Sequence, residues 1–226
     1  MIYAIVYGSV PILRELLASS DLKEDPSIIE SRICEANPEF GLSKGINTLS
    51  LAMFCCDSEV VKMLLDAGAN PYSTDALGND AFQLACSSAS FDNIKYWLKR
   101  MPDWDIERRN NLNGSFAAAY AIYMGPNRFE LVRFLLDRGT PMNKCSMAGG
   151  TLLSIACSSE DADPAVVELL LHRLKQSKHS YIINHRLGGG NLKWRAIYTL
   201  SLTIHRLNLS GGSRLISSLA KDVGCM

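Results

Sequence analysis

The chain's four histidines, His172, His179, His185 and His205, all fall in its last quarter and are the obvious candidates for a metal site or a catalytic base. Their separations of 7, 6 and 20 residues fit no zinc-binding pattern, and no cysteine lies among them. A nucleophilic pair of Cys157 and His172 would need an exposed thiol in electropositive surroundings. Cys157 instead follows an alanine inside an apolar run, where a free cysteine behaves as a small hydrophobe, and Cys86 stands in the same way. The glycine-rich stretches LGGGN (187–191) and GGS (211–213) lack the Gly-Lys-Ser/Thr of a phosphate cradle and read as joints. Asp161 and Asp163 could be paired as acid and base, but they precede Pro164 in a composition that caps a following helix. The expectation is a protein with no catalytic residue, no metal and no cofactor.

Composition agrees with a chain that folds. Hydrophobic residues make up 47% of the 226 and charged residues 20%, enough to bury a core and too apolar for disorder. Apolar stretches are interrupted every few residues, and the start, MIYAIVYGSVPILRELLA, has no basic leader, so neither a signal peptide nor a membrane span is expected. Seven cysteines (34, 55, 56, 86, 145, 157 and 225) form an odd set without a C-x-x-C pair, which points to reduced thiols and to the cytosol or nucleus. The sequons at Asn113 and Asn208 then read as chance matches.

The zero net charge hides a split. Residues 1–168 carry 22 acidic against 14 basic side chains, whereas Leu169 to Lys221 contains nine Lys and Arg and no Asp or Glu. With Tyr181, Trp194 and Tyr198 interleaved, this stretch has the elements of phosphate contact and base stacking, although no nucleic-acid fold motif accompanies them. An acidic protein partner, or plain solvation, suits the same residues.

The elements that would position such side chains are written as a repeat. GINTLSLA ends at Ala52, GNDAFQLA at Ala85, GSFAAAYA at Ala121, GGTLLSIA at Ala156 and AIYTLSLT at Thr203, the first three steps being 33, 36 and 35 residues. A glycine stands seven places before each of the four alanines: Gly45, Gly78, Gly114 and Gly149. A second phrase follows each time (VVKMLL, NIKYWL, LVRFLL, VVELLL, LISSLA), and ILRELL after Ala4 is a further copy. Apolar spacing of three and four predicts two short helices per unit, the alanine lying where they approach most closely. Asn47, Asp80 and Thr151 are placed to cap first helices. Gly68 and Gly139, followed by Pro71 and Pro141, are placed to end second ones.

This unit resembles the ankyrin repeat, whose first helix carries G-x-T-P-L-H-x-A and whose second carries V-x-x-L-L-x-x-G-A. The resemblance covers about residues 1–20 and 45–224, most closely Gly45 to Ala69. Tetratricopeptide and HEAT-type arrays share the helical spacing, but the repeat length and the G-A-N-P ending argue against them. The chain departs from the family pattern in having no proline at the first helical position and no histidine at the fourth, where Ser50, Gln83, Ala119 and Ser154 stand. Those losses are expected to weaken the caps and the contacts between neighbouring turns.

The expected fold is therefore all-α, an ankyrin-repeat solenoid of about five to six helix-turn-helix units with short hairpin fingers and two insertions. The units span approximately 1–20 (partial), 45–77, 78–113, 114–148, 149–175 and 196–224, with insertions at about 21–44 and 176–195. Pro26 is expected to open a short helix in the first insertion with Ile28, Ile29 and Ile33 on one side. Neither end has the polar cap of a finished array, which suggests a piece of a longer one. The resemblance implies a non-catalytic module that holds a partner protein on a concave face and finger tips. Tyr72, Leu77 and Asn79 on one finger, Arg109, Asn111 and Leu112 on the next, and Lys144 and Met147 on a third are expected to reach outward, with Gln83 and Tyr123 lining the groove. The alternative is nucleic-acid or anionic-surface binding through the basic segment 169–221.

Overall fold

A computed structural model describes residues 1–36, 43–123, 128–147, 149–158 and 163–179. The expected unit at 196–224, most of the basic segment and of the insertion at 176–195, His185, His205, Tyr181, Trp194, Tyr198, both glycine runs, Asp161 and Cys225 lie outside the described residues. The chain divides into two compact units, Met1–Pro126 and Asn127–Met226.

The first unit contains α1 (Ile2–Val6), α2 (Val10–Ala18), α3 (Ser20–Glu24), a 3-10 helix (Pro26–Glu30), α4 (Thr48–Cys55), α5 (Ser58–Asp66), α6 (Ala81–Ser88), α7 (Phe91–Arg100) and α8 (Ala117–Tyr123). The short helices α1, α4, α6 and α8 pack side by side in that order, while α2, α5 and α7 make a second row behind them. Burial explains the sequence of each row. All of Thr48 to Met53 in α4 is buried, as befits a helix covered on every side. By contrast α5 buries only Val60, Val61 and Leu64, and α7 Asn93, Ile94, Trp97 and Leu98, a stripe facing the first row. Ala52, Ala85 and Ala121 have no exposed surface, so a larger side chain there would separate helices already in contact. Each fully buried Leu or Ile contributes about 1.5–3 kcal/mol.

The helix ends follow the sequence signals. Asn47 Oδ1 accepts from the Ser50 amide at 2.8 Å and Asp80 Oδ1 from the Gln83 amide at 2.8 Å. Gly68 ends α5 at φ +95°, with the Ala69 amide closing onto the Leu64 carbonyl at 3.0 Å.

The first insertion corrects one expectation. Pro26 does open a helical turn, and Ile29 is buried beneath it, but the turn is a 3-10 helix that stops at Glu30. Ile33 is not on its face. The Ile33 amide donates to the Ile46 carbonyl at 2.9 Å, because hairpin pairing takes up the backbone from Arg32 onward. Glu30 fastens the insertion to the repeats. It accepts from Asn47 Nδ2 (3.2 Å), the Asn70 amide (2.7 Å) and Ser73 Oγ (2.9 Å).

In the second unit, α9 (Arg128–Asp137) and α10 (Leu152–Ser158) both pack against α11 (Pro164–Gln176). Thr151 Oγ1 caps α10 by accepting from the Ser154 amide at 3.1 Å, and Asp163 caps α11 through the Ala165 amide at 2.9 Å. Gly139 ends α9 at φ +96°. Val166, Val167, Leu170, Leu171 and Leu174 form the buried stripe of α11. Among the described residues no helix is long and apolar enough to cross a membrane.

Candidate interaction surface

Between the helix pairs the chain forms narrow hairpins, each closed by a backbone bond across its neck: Ile33 to Ile46, Asp75 to Asn79, Asn110 to Ser115 and Ser146 to Gly150, all at 2.9 Å. The first three belong to the first unit and the fourth to the second. Each neck is followed or flanked by a glycine in the left-handed region, and at Gly78 the reason is spatial as well. A Cβ there would lie 2.6 Å from the Asn111 backbone nitrogen, so the second and third fingers touch through their backbones.

Buried polar groups hold these fingers in place. Asp75 receives the Leu77 amide (2.9 Å), the Asn79 amide (2.8 Å), Asn79 Nδ2 (2.9 Å) and the Ser43 hydroxyl. Asn79 Oδ1 in turn accepts from Asn110 Nδ2 (3.0 Å) and the Tyr120 hydroxyl (2.6 Å). Burial pushes the Tyr120 phenol up to about 12, so it stays a donor. Backbone bonds add to the register, the Ala76 amide donating to the Lys44 carbonyl at 2.9 Å. A fully satisfied network of this kind rigidifies what it joins.

Gln83 corrects the expected weakness at the fourth helical place. Its Oε1 accepts from the Asp80 amide at 3.0 Å, completing a reciprocal cap, and its Nε2 donates to the Arg108 carbonyl at 2.8 Å on the next finger. A single glutamine thus restores both the cap and the contact between turns. The Asp80 carboxylate is less comfortable. Only 1% of its side chain is exposed, Oδ2 has no hydrogen-bond partner, and Arg108 Nε stands 3.7 Å away. Burial, opposed by the bonded amides and Arg108, raises this acid to about 6.

The ten residues expected to meet a partner divide into two groups. Leu77 (36% exposed), Leu112 (61%), Tyr123 (58%) and Met147 (71%) present apolar surface, and Asn111 and Arg109 are also exposed. Arg109 is held rather than free: Nη1 donates to the Gly114 carbonyl at 3.0 Å, with the guanidinium over the Phe116 ring. Tyr72 is exposed on one face while its other face stacks on Trp104, ring centroids 5.3 Å apart. Lys144 is half-buried. Asn79 and Gln83 depart from expectation. At 4% and 2% exposure they point inward, Asn79 into the network and Gln83 into the next finger, so neither offers a surface.

Sequence reasoning missed the residues that build the necks. Asp75, Asn110 and Ser146 each stand three or four places before a finger glycine, and each bonds amides a few residues on, an Asx- or Ser-type turn that the spacing could have signalled. The thiols of Cys86 and Cys157 are both raised by burial, Cys157 to about 12, which disfavours the thiolate at each.

No curated protein sequence matches this chain. A family profile described as ankyrin repeats, three copies, matches residues 49–144. Among solved structures the chain is similar to the crystal structure of the ankyrin repeat domain of Bcl-3, described as a unique member of the IkappaB protein family. The TM-score is 0.62 at 24% identity, over 90% of this chain and 83% of that one. At that identity the likeness speaks for the fold, and the profile match speaks for the repeats. Residues 49–144 are ankyrin repeats, and the described residues have the all-α fold of an ankyrin-repeat array.

Proposed function

We propose that this chain binds a partner protein without changing it chemically, through the finger rims and first helices of its first unit. Ankyrin repeats are protein–protein interaction modules, and the finer reading rests on one observation. Leu77 and Leu112, on consecutive finger tips, are exposed although the residues at their base are locked by buried hydrogen bonds. Apolar groups presented on a rigid rim lose little conformational freedom on binding. Asn111, Arg109, Tyr72 and Tyr123 supply the polar and aromatic surround, and Lys144 and Met147 make a separate contact on the finger of the second unit. We further place the protein in the cytosol or nucleus, where its cysteines stay reduced.

Affinity capture from native lysate tests the reading. The double variant Leu77→Asp with Leu112→Asp should keep its helical circular dichroism yet lose proteins retained by the wild type. An unchanged set of captured proteins would contradict it. The basic segment 169–221 carries the second reading, contact with an anionic polymer, because no acidic residue interrupts it. In that case retention should fall steeply with salt as counterions are released, and should survive the rim substitutions.

A further inference from the structure

Cys55 and Cys56 stand side by side where α4 ends, their sulfurs 3.9 Å apart. Cys55 is exposed and Cys56 is half-buried. The two thiols are not equivalent. A hydrogen bond from Cys56 favours the Cys55 thiolate, against its partial burial and its own donation to the Leu51 carbonyl at 3.1 Å, whereas that bond, burial and the nearby charges of Cys55 and Asp57 hold the Cys56 proton in place. Both sit at the C-terminal end of α4, which disfavours an anion on either, so the helix end does not set the distinction between them. An accessible sulfur that can attack thus has a second sulfur within reach to resolve the product.

We propose that Cys55 and Cys56 form a vicinal dithiol that exchanges with small-molecule disulfides to close a reversible Cys55–Cys56 bond. In the first step the Cys55 thiolate attacks one sulfur of the reagent, its S–S bond breaks and one thiolate leaves. Cys56 then gives up its proton, attacks the Cys55 sulfur and expels the second thiolate. Two protein thiols are oxidised by two electrons, and the reagent disulfide is reduced to two thiols. Consecutive α-carbons across a trans peptide are about 3.8 Å apart, short of the roughly 4.4–6.8 Å usual for a disulfide. Such a bond is easily reduced, which suits a reversible modification rather than a structural staple.

The position gives closure a consequence. The Cys56 amide donates to the Ala52 carbonyl at 2.9 Å, and the Cys56 carbonyl accepts from Asn93 Nδ2 at 2.7 Å. Asn93 is buried in α7 and also holds the Met53 carbonyl at 3.2 Å. Drawing the sulfurs together twists the intervening peptide and strains the junction between α4 and α7.

The test is incubation of the full chain with oxidised glutathione, followed by intact mass and peptide mapping. The expected product has lost two hydrogens, retains no glutathione, maps to the peptide containing residues 55 and 56, and melts at a lower temperature until dithiothreitol restores it. Cys56→Ser should instead retain one glutathione on Cys55. Needing no variant, phenylarsine oxide at one equivalent should shield both sulfurs from alkylation, since it bridges paired thiols. Stable glutathione on either cysteine of the wild type, pairing with another cysteine, no reaction, or alkylation of both sulfurs beside the arsenical would overturn the proposal.

Discussion

Asn47 and Asp80 occupy the same place in consecutive repeats, and each accepts an amide at 2.8 Å to start a first helix. Their remaining atoms fare differently. Asn47 turns its Nδ2 toward Glu30, so both ends of the amide are used, whereas Asp80 is left with an unbonded buried oxygen and a guanidinium 3.7 Å off. What the fold requires at this position is one acceptor. The charge at Asp80 is an addition that burial opposes, and Thr151 shows that a hydroxyl satisfies the same need in the second unit.

Exchanging these chemistries gives the largest expected effect. Asn47→Asp would set a second carboxylate against Glu30 inside the protein and should cost about 3–5 kcal/mol at neutral pH in a denaturant melt. Next is the charge of Asp80. Its folded value of about 6 lies above the ordinary 3.8, so its contribution to stability is fully present below pH 3.8 and is lost as pH rises through 6. The shift of about two units corresponds to about 1–3 kcal/mol. Asp80→Thr keeps the cap and removes the titration. The stability of the wild type relative to this variant should therefore improve by that amount between pH 7.5 and 4, measured by urea unfolding. A flat difference would show that the buried charge has no cost.

Effects of similar size come from the glycines two places before each cap. Gly78 and Gly45 both have positive φ, but a Cβ at Gly78 meets a backbone nitrogen at 2.6 Å and one at Gly45 meets a backbone nitrogen at 3.1 Å. Gly78→Ala should cost about 2–3 kcal/mol and Gly45→Ala about 1–2 kcal/mol in thermal melts. The reverse order would mean that the fingers do not approach as described.

The parts of this protein that were legible in its sequence are those set by local rules. Apolar spacing placed α5, α7 and α11, and Gly68 and Gly139 marked helix ends because only the left-handed turn explains a glycine there. Caps at Asn47, Asp80, Thr151 and Asp163 were readable because the amide each accepts from lies two or three residues on, in the helix that it caps. Side-chain direction within a finger was not. Asn79 and Asn111 are the same residue type on neighbouring fingers, yet one is buried and the other exposed, since the groups that receive Asn79 come from residues 110 and 120. Ile33 was misplaced for a related cause, its partner Ile46 lying across a hairpin. Glu30 gave no sign of its role, because its three donors are 17 to 43 residues away.

The proposed binding mode requires fingers that are fixed before any partner arrives. Amide hydrogen exchange of the free protein, resolved by residue, measures this directly. The Ala76 and Asn79 amides, bonded to the Lys44 carbonyl and to Asp75 Oδ1, should be protected comparably to the Leu84 amide within α6. Exchange of Ala76 and Asn79 at the rate of an unstructured peptide, with Leu84 still protected, would contradict it.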